Sequence, residues 1–139
     1  MEKSVLFFVK MALTLSLVFA MGCEKDDPGG TVSVDVLIGV THVYLGDSGC
    51  YFGMSNDDAN FVFGCNGEFA SLGSKKGLGD ITKIPTNGWA SRVSVICGNG
   101  YVGRFRTNNN TTYSYVRIYV DEFLGGGFIR VKYQYPFAP

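Results

Sequence analysis

Several residue patterns in this chain have spacings that chemistry uses, and each is judged by what it would need around it. Gly98-Asn99-Gly100-Tyr101-Val102-Gly103 matches G-x-G-x-x-G. A dinucleotide site requires that pattern to join a strand to a helix whose N-terminus takes the pyrophosphate. Arg104-Phe105-Arg106 follows instead, and the apolar pattern around it predicts a hairpin turn. A kinase glycine loop is also a hairpin, but no H-R-D or D-F-G element accompanies this one. Gly46-Asp47-Ser48-Gly49 has the form of a serine nucleophile loop, with the one histidine, His42, shortly before it. That mechanism also needs an orienting acid and an oxyanion hole assembled across two barrels. A domain this short does not supply them, so a turn with a solvent-facing hydroxyl is expected.

The carboxylates of residues 31–139 are Asp35, Asp47, Asp57, Asp58, Glu68, Asp80, Asp121 and Glu122. A glycosidase pair needs two of them at a set separation across a cleft, whereas most fall in turns or at strand ends. Asn56-Asp57-Asp58 is too short for a calcium loop of EF-hand type. One histidine without a C-x-x-C argues against zinc. No catalytic residue, metal ligand or cofactor is assigned. The hydrolase therefore ranks third among the functions considered.

The segment Tyr113–Val120 holds the one pattern suited to binding. Val116, Ile118 and Val120 alternate with Tyr113, Tyr115, Arg117 and Tyr119. With the valine face in the core, three tyrosines and an arginine line the outside, the kind of surface that stacks sugars or grips peptides. Tyrosines packed across strands beneath other elements are the competing expectation. Cys50, Cys65 and Cys97 allow one disulfide in an oxidising compartment. Their places on apolar alternations favour three buried thiols instead.

The elements that position these residues are read from period-two alternation. Val32, Val34, Val36, Ile38 and Val40 form one run, and Phe61 and Phe63 another. Val93, Val95 and Cys97 make a third, and Ile129, Val131, Tyr133 and Tyr135 a fourth. Glycine, asparagine and aspartate clusters separate the runs, as at Asn66-Gly67, Gly98-Asn99-Gly100 and Gly125-Gly126-Gly127. Short strands punctuated this closely predict an all-β fold, an antiparallel sandwich or a small barrel. A single turn of helix is expected only within Glu68–Lys76.

The N-terminus gives an address. Lys3 and Lys10 precede an apolar stretch, Met11–Met21, of 11 residues. That is short of the roughly 20 a helix needs to cross a bilayer, so residues 1–22 read as a cleaved signal peptide. Its end, Ala20-Met21-Gly22-Cys23, resembles the lipobox of bacterial lipoproteins, with Ala20 where that pattern usually has Leu. The resemblance implies that Cys23 is acylated and becomes the first mature residue; an ordinary cut would leave the same start with a plain thiol. Residues 23–30 then form a solvated tether of charged and turn-forming side chains, and residues 31–139 a single domain. Lys25-Asp26-Asp27 resembles the signal that sends Bacteroidota lipoproteins to the outer face of the outer membrane. The periplasmic face is the alternative.

Loss of Glu2, Lys3 and Lys10 takes the chain's 12 basic and 12 acidic groups to a net charge of −1. This balance gives no electrostatic case for nucleic acid. Gly77-Leu78-Gly79-Asp80-Ile81, Ile84-Pro85, Gly88-Trp89, Gly100-Tyr101-Val102 and Lys132-Tyr133-Gln134-Tyr135-Pro136-Phe137 resemble a family of small Bacteroidota lipoproteins of unknown function. The resemblance implies export and a β-rich domain, and no activity. Without visible catalytic groups, the expected function is capture of a glycan or peptide by a module tethered to the membrane through Cys23. A structural or assembly role with a surface-protein partner is the alternative.

Overall fold

The computed structural model describes residues 27–107 and 111–139. The signal segment and Cys23 lie outside the described residues. The described residues form ten strands: β1 (Val32–Leu37), β2 (Val43–Tyr44), β3 (Tyr51–Met54), β4 (Asn60–Phe63), β5 (Gly67–Ser74), β6 (Trp89–Ala90), β7 (Val93–Ser94), β8 (Asn99–Phe105), β9 (Ser114–Gly125) and β10 (Phe128–Gln134). They form two antiparallel sheets. The larger runs β1-β10-β9-β8-β5-β6 and the smaller β2-β3-β4-β7. Neither closes on itself, so of the two predicted all-β architectures this is the sandwich.

The inner faces hold the buried members of the predicted alternations, but the Val32–Val40 run is corrected: β1 ends at Leu37, and Val32 and Val40 stand 45% and 66% exposed. Val36, Phe52, Phe61, Phe69, Phe105, Val116, Ile118, Val120 and Val131 are fully buried between the sheets. Each such side chain contributes roughly 1.5–3 kcal/mol by leaving water. Tyr101 is buried among them with its hydroxyl satisfied: it donates to the Ser94 carbonyl at 2.6 Å and accepts from the Ile96 N–H at 2.9 Å. Burial pushes its phenol pKa up. This one side chain ties the β7 region to the large sheet.

Three other local expectations are corrected. Glu68–Lys76 is not helical, because Gly67–Ser71 pairs with β8 over its length; the 3₁₀ turn lies just beyond, at Leu78–Asp80. The Val93–Cys97 run pairs only at Val93 and Ser94, after which Ile96 stands 51% exposed and Cys97 is exposed too. In Gly98–Gly103 the turn is confined to its start. Gly98 has a positive φ of 82°, while Gly100 and Gly103 belong to β8 and pair with Tyr119 and Val116. The glycine pattern therefore leads into a central strand, and no helix follows to meet a pyrophosphate.

Gly100 is needed for space rather than for a left-handed backbone. A Cβ there would lie 2.8 Å from Lys75 Cγ and 2.9 Å from Ile81 Cδ1. Gly100→Val is expected to cost about 1–3 kcal/mol through overpacking, measured as a lower urea midpoint. An unchanged midpoint would show that the covering segment moves aside freely.

Candidate functional site

The outer face of the large sheet is where the predicted ligand residues lie, and half of it is covered. Leu78, Ile81 and Phe137 pack on Val102 to make a second, smaller core outside the sheet. The chain between β5 and β6 supplies the first two, and the C-terminal tail supplies Phe137, whose N–H donates to the Tyr115 carbonyl at 2.8 Å. Arg117 and Tyr119 sit under this layer. Arg117 is only 9% exposed, and its Nη1 donates to the carbonyls of Ile81 at 2.8 Å and Leu78 at 3.3 Å. Its Nε donates to Gln134 Oε1 at 2.8 Å, and burial lowers the guanidinium pKa. Tyr119 is half-buried against the same cluster, its phenol pKa raised first by burial and then by Asp121.

An open face of Tyr113, Tyr115, Arg117 and Tyr119 is therefore corrected. The alternation assigned the sheet faces properly, but it carries no information about a segment that folds back over one of them. Tyr113 and Tyr115 are brought together, and Arg117 and Tyr119 act as supports for the covering layer.

What gathers around Tyr113 comes from other strands. Glu68, Arg104 and Tyr115 stand on one transverse row, since Glu68 pairs with Arg104 and Arg104 with Tyr115. Arg104 lies over the Trp89 ring at 4.1 Å and over Tyr113 at 4.5 Å. Its Nη2 and Nε both donate to Glu68 Oε1, at 2.8 and 3.1 Å. Arg106, two residues on and so on the same face, lies over the other reach of Tyr113 at 4.2 Å. Tyr115 closes the group, 6.4 Å from Trp89 and 6.3 Å from Tyr113. Guanidinium and ring alternate along this ladder, each contact contributing about 0.5–2 kcal/mol depending on desolvation.

Arg104 is neutralised by Glu68. Arg106 is exposed, and among the described residues no carboxylate pairs with it. It borders two depressions. One, of about 610 Å³, is lined by Ser48, the Cys50–Cys65 disulfide and Asn66; the other, of about 440 Å³, by Glu68 and Tyr113. The sequence reading missed Trp89, Arg104, Arg106 and Glu68. The alternation Arg104-Phe105-Arg106 was the available signal: it puts two arginines on one face, but only strand pairing says that the face is beside Tyr113.

The other sequence candidates are occupied otherwise. Ser48 Oγ donates to the Leu45 carbonyl at 2.6 Å and accepts from the Cys50 N–H at 3.1 Å, an arrangement that shapes its turn. His42 stacks on Tyr51. Asp58 pairs with Arg92 and accepts from the Ser55 hydroxyl, which holds its carboxyl below the usual range. Among the described residues no cluster of three His, Cys, Asp or Glu side chains is placed to hold a metal, and no helix is long and apolar enough to cross a membrane. Compared with protein-family models, curated proteins and solved structures, the chain matches none.

Proposed function

We infer that this chain is a non-catalytic capture module, an outer-membrane lipoprotein held by Cys23 that binds a glycan or peptide on its exposed ladder. One observation carries the reading: Arg106, exposed and without a carboxylate partner among the described residues, lies over the Tyr113 ring at 4.2 Å between two open depressions. A cation left in water beside an aromatic ring is poised for a planar polar or acidic group, because the ring restricts its rotamers beforehand. The ladder offers hydrogen-bond donors and ring faces, and its one carboxylate, Glu68, is engaged by Arg104. Those are the means of binding rather than of proton transfer.

The tether supports the same reading. Asp27 accepts a hydrogen bond from Lys132 at 2.9 Å, and the Gly29 carbonyl accepts one from Gln134 at 2.8 Å. With Asp27 docked, only four residue steps separate Cys23 from the domain, roughly 14 Å when extended. Kinship to small Bacteroidota lipoproteins belongs to this proposal. Mass spectrometry of the native N-terminus should find acyl chains on Cys23, and Cys23→Ala should release the protein from membranes. An unmodified Cys23, or a start elsewhere, contradicts the anchor.

The binding reading is tested with Arg106→Ala and Tyr113→Ala combined, in the full chain, against a glycan array and a peptide library. Loss of one stacked ring and one charged donor, each about 1 kcal/mol, predicts at least a tenfold weaker Kd for whichever ligand the parent selects. Neither residue belongs to the core, so the domain should stay folded, with its melting temperature lowered only by the loss of the ring contacts. Equal binding by parent and variant would remove the ladder from the function.

A further inference from the structure

The depressions beside Arg106 continue across the end of the sandwich. The two already described share Asn66, Arg106 and Thr107. The first also shares Gly64 with a third, of about 220 Å³, on the outer face of the small sheet. His42 and Tyr51 line this third depression, and Tyr44 stands beside them. Tyr44 and Tyr51 are cross-strand partners with ring centres 5.3 Å apart, and His42 lies nearly parallel to Tyr51 at 4.0 Å. Val43 between them is buried, so strand alternation turns His42 and Tyr44 outward together, and Tyr44 is 61% exposed. Tyr51 in turn lies flat across Gly64, where a Cβ would come within 2.2 Å of its ring. Any larger residue there would lift Tyr51 and break the row.

We propose that the trough from His42 and Tyr44, past Gly64 and Asn66, to Arg106 and Tyr113 is one elongated site for a linear acidic oligosaccharide. A sugar ring stacks on the exposed Tyr44 beside the edge-on His42 at one end, and a carboxylate of the same chain meets Arg106 at the other. The proposal rests on the capture reading and deepens it by naming the ligand class.

Three features favour a sugar chain over a peptide. The rings at the small-sheet end are flat and exposed, suited to the C–H face of a pyranose, whereas a peptide side chain seeks an enclosed apolar pocket. The trough crosses strands, from β2 over β3 to the end of β4, because Tyr44 pairs with Tyr51 and the Gly64 N–H donates to the Tyr51 carbonyl. A peptide added as a strand would run along an edge instead. Finally, the charge at the ladder end is a single exposed guanidinium flanked by Asn66 and Thr107, which suits an acid group surrounded by hydroxyls. Two subsites engaged by one chain reinforce each other through effective concentration.

The test uses the full chain in detergent micelles and isothermal titration with linear hexuronate hexamers, the corresponding dimers and neutral hexamers. The acidic hexamer should bind at least tenfold more tightly than either the dimer or the neutral hexamer. His42→Ala with Tyr44→Ala should weaken the hexamer about tenfold and leave the dimer unchanged; Tyr44→Ser alone, at the most exposed ring, is the second variant should the pair unfold. Arg106→Gln should abolish the preference for acid over neutral. If the hexamer ignores the His42 and Tyr44 changes but loses affinity on Arg106→Ala with Tyr113→Ala, the elongated site is wrong and the capture reading stands. If acidic peptides bind and hexuronates of both lengths do not, the ligand class is wrong. Absence of binding to every glycan and peptide tried overturns both.

Discussion

Replacing Arg117 with alanine is expected to lower the stability of the domain by about 3 kcal/mol, although a surface arginine on a strand would cost almost nothing. The guanidinium is the post on which the covering layer rests. Two backbone carbonyls, Leu78 and Ile81, accept from Nη1, and Gln134 accepts from Nε. The cation also lies 4.8 Å from the centre of the Phe137 ring. Truncation leaves the Leu78 carbonyl only the Ile81 N–H at 3.1 Å and the Ile81 carbonyl without its guanidinium donor, at about 1–3 kcal/mol for a buried acceptor left unpaired, and removes the stem that fills the space beneath them.

Burial depresses the Arg117 pKa, yet a guanidinium stays charged across the working pH range. The loss should therefore be independent of pH between 5 and 9 or thereabouts. Arg117→Lys should recover only part of it, since one ammonium cannot span the fork. The urea midpoint measures the total, and hydrogen exchange localises it, with protection falling first around Leu78 and Ile81. A midpoint equal to the parent's would mean that the covering layer is held by Leu78, Ile81 and Phe137 alone.

Reduction of the disulfide should have an effect of similar size. Cys50 and Cys65 are bonded and lie 15 residues apart, where the three-thiol expectation had placed them as separate core residues. A loop of that length contributes about 3 kcal/mol through the entropy it removes from the unfolded chain. For a domain near 110 residues this corresponds to a melting temperature roughly 10 °C lower in dithiothreitol. Cys50→Ala with Cys65→Ala should match that shift, and reductant should then cause no further loss in that variant. Thiol labelling of the unreduced, exported protein should modify the exposed Cys97 and spare the other two. Labelling of all three, or a melting curve indifferent to reductant, would refute the bond. Because both cysteines line the depression beside Arg106, reduction should also weaken whatever the trough holds.

Cysteine pairing shows where local reasoning ends. Alternation put Cys65 and Cys50 on strands, but β3 begins at Tyr51 and β4 ends at Phe63, so both stand just past the ladder, and the choice between thiol and disulfide depended on register. Phe52 pairs with Phe63, and continuing that antiparallel register two residues outward sets Cys50 against Cys65, with Cα atoms 5.5 Å apart. The sequence carries both residues and no statement of which strands are neighbours. Cys97 erred the other way. It continued the alternation begun at Val93 and Val95, but β7 ends at Ser94; Val95 still packs against the core, whereas Cys97 stands exposed.

The strands themselves were legible because a half-buried sheet imposes period two on its own residues, a purely local constraint. Val116, Ile118 and Val120 had to face a core wherever the strand was placed, and the glycine and asparagine clusters had to be turns in any β fold. The lipobox-like Ala20-Met21-Gly22-Cys23 is local in the same sense, a linear signal. What stood on the outer face was not local. Whether Arg117 met water was decided by chain 36 and 39 residues away, where Ile81 and Leu78 come down on it, and by Phe137 of the C-terminal tail. Whether the two arginines of β8 met an aromatic ring was decided by the pairing that brings β8 between Trp89 and Tyr113. Strand identity is written in nearest neighbours, whereas exposure and companionship depend on contacts between distant segments, and only the folded chain selects them.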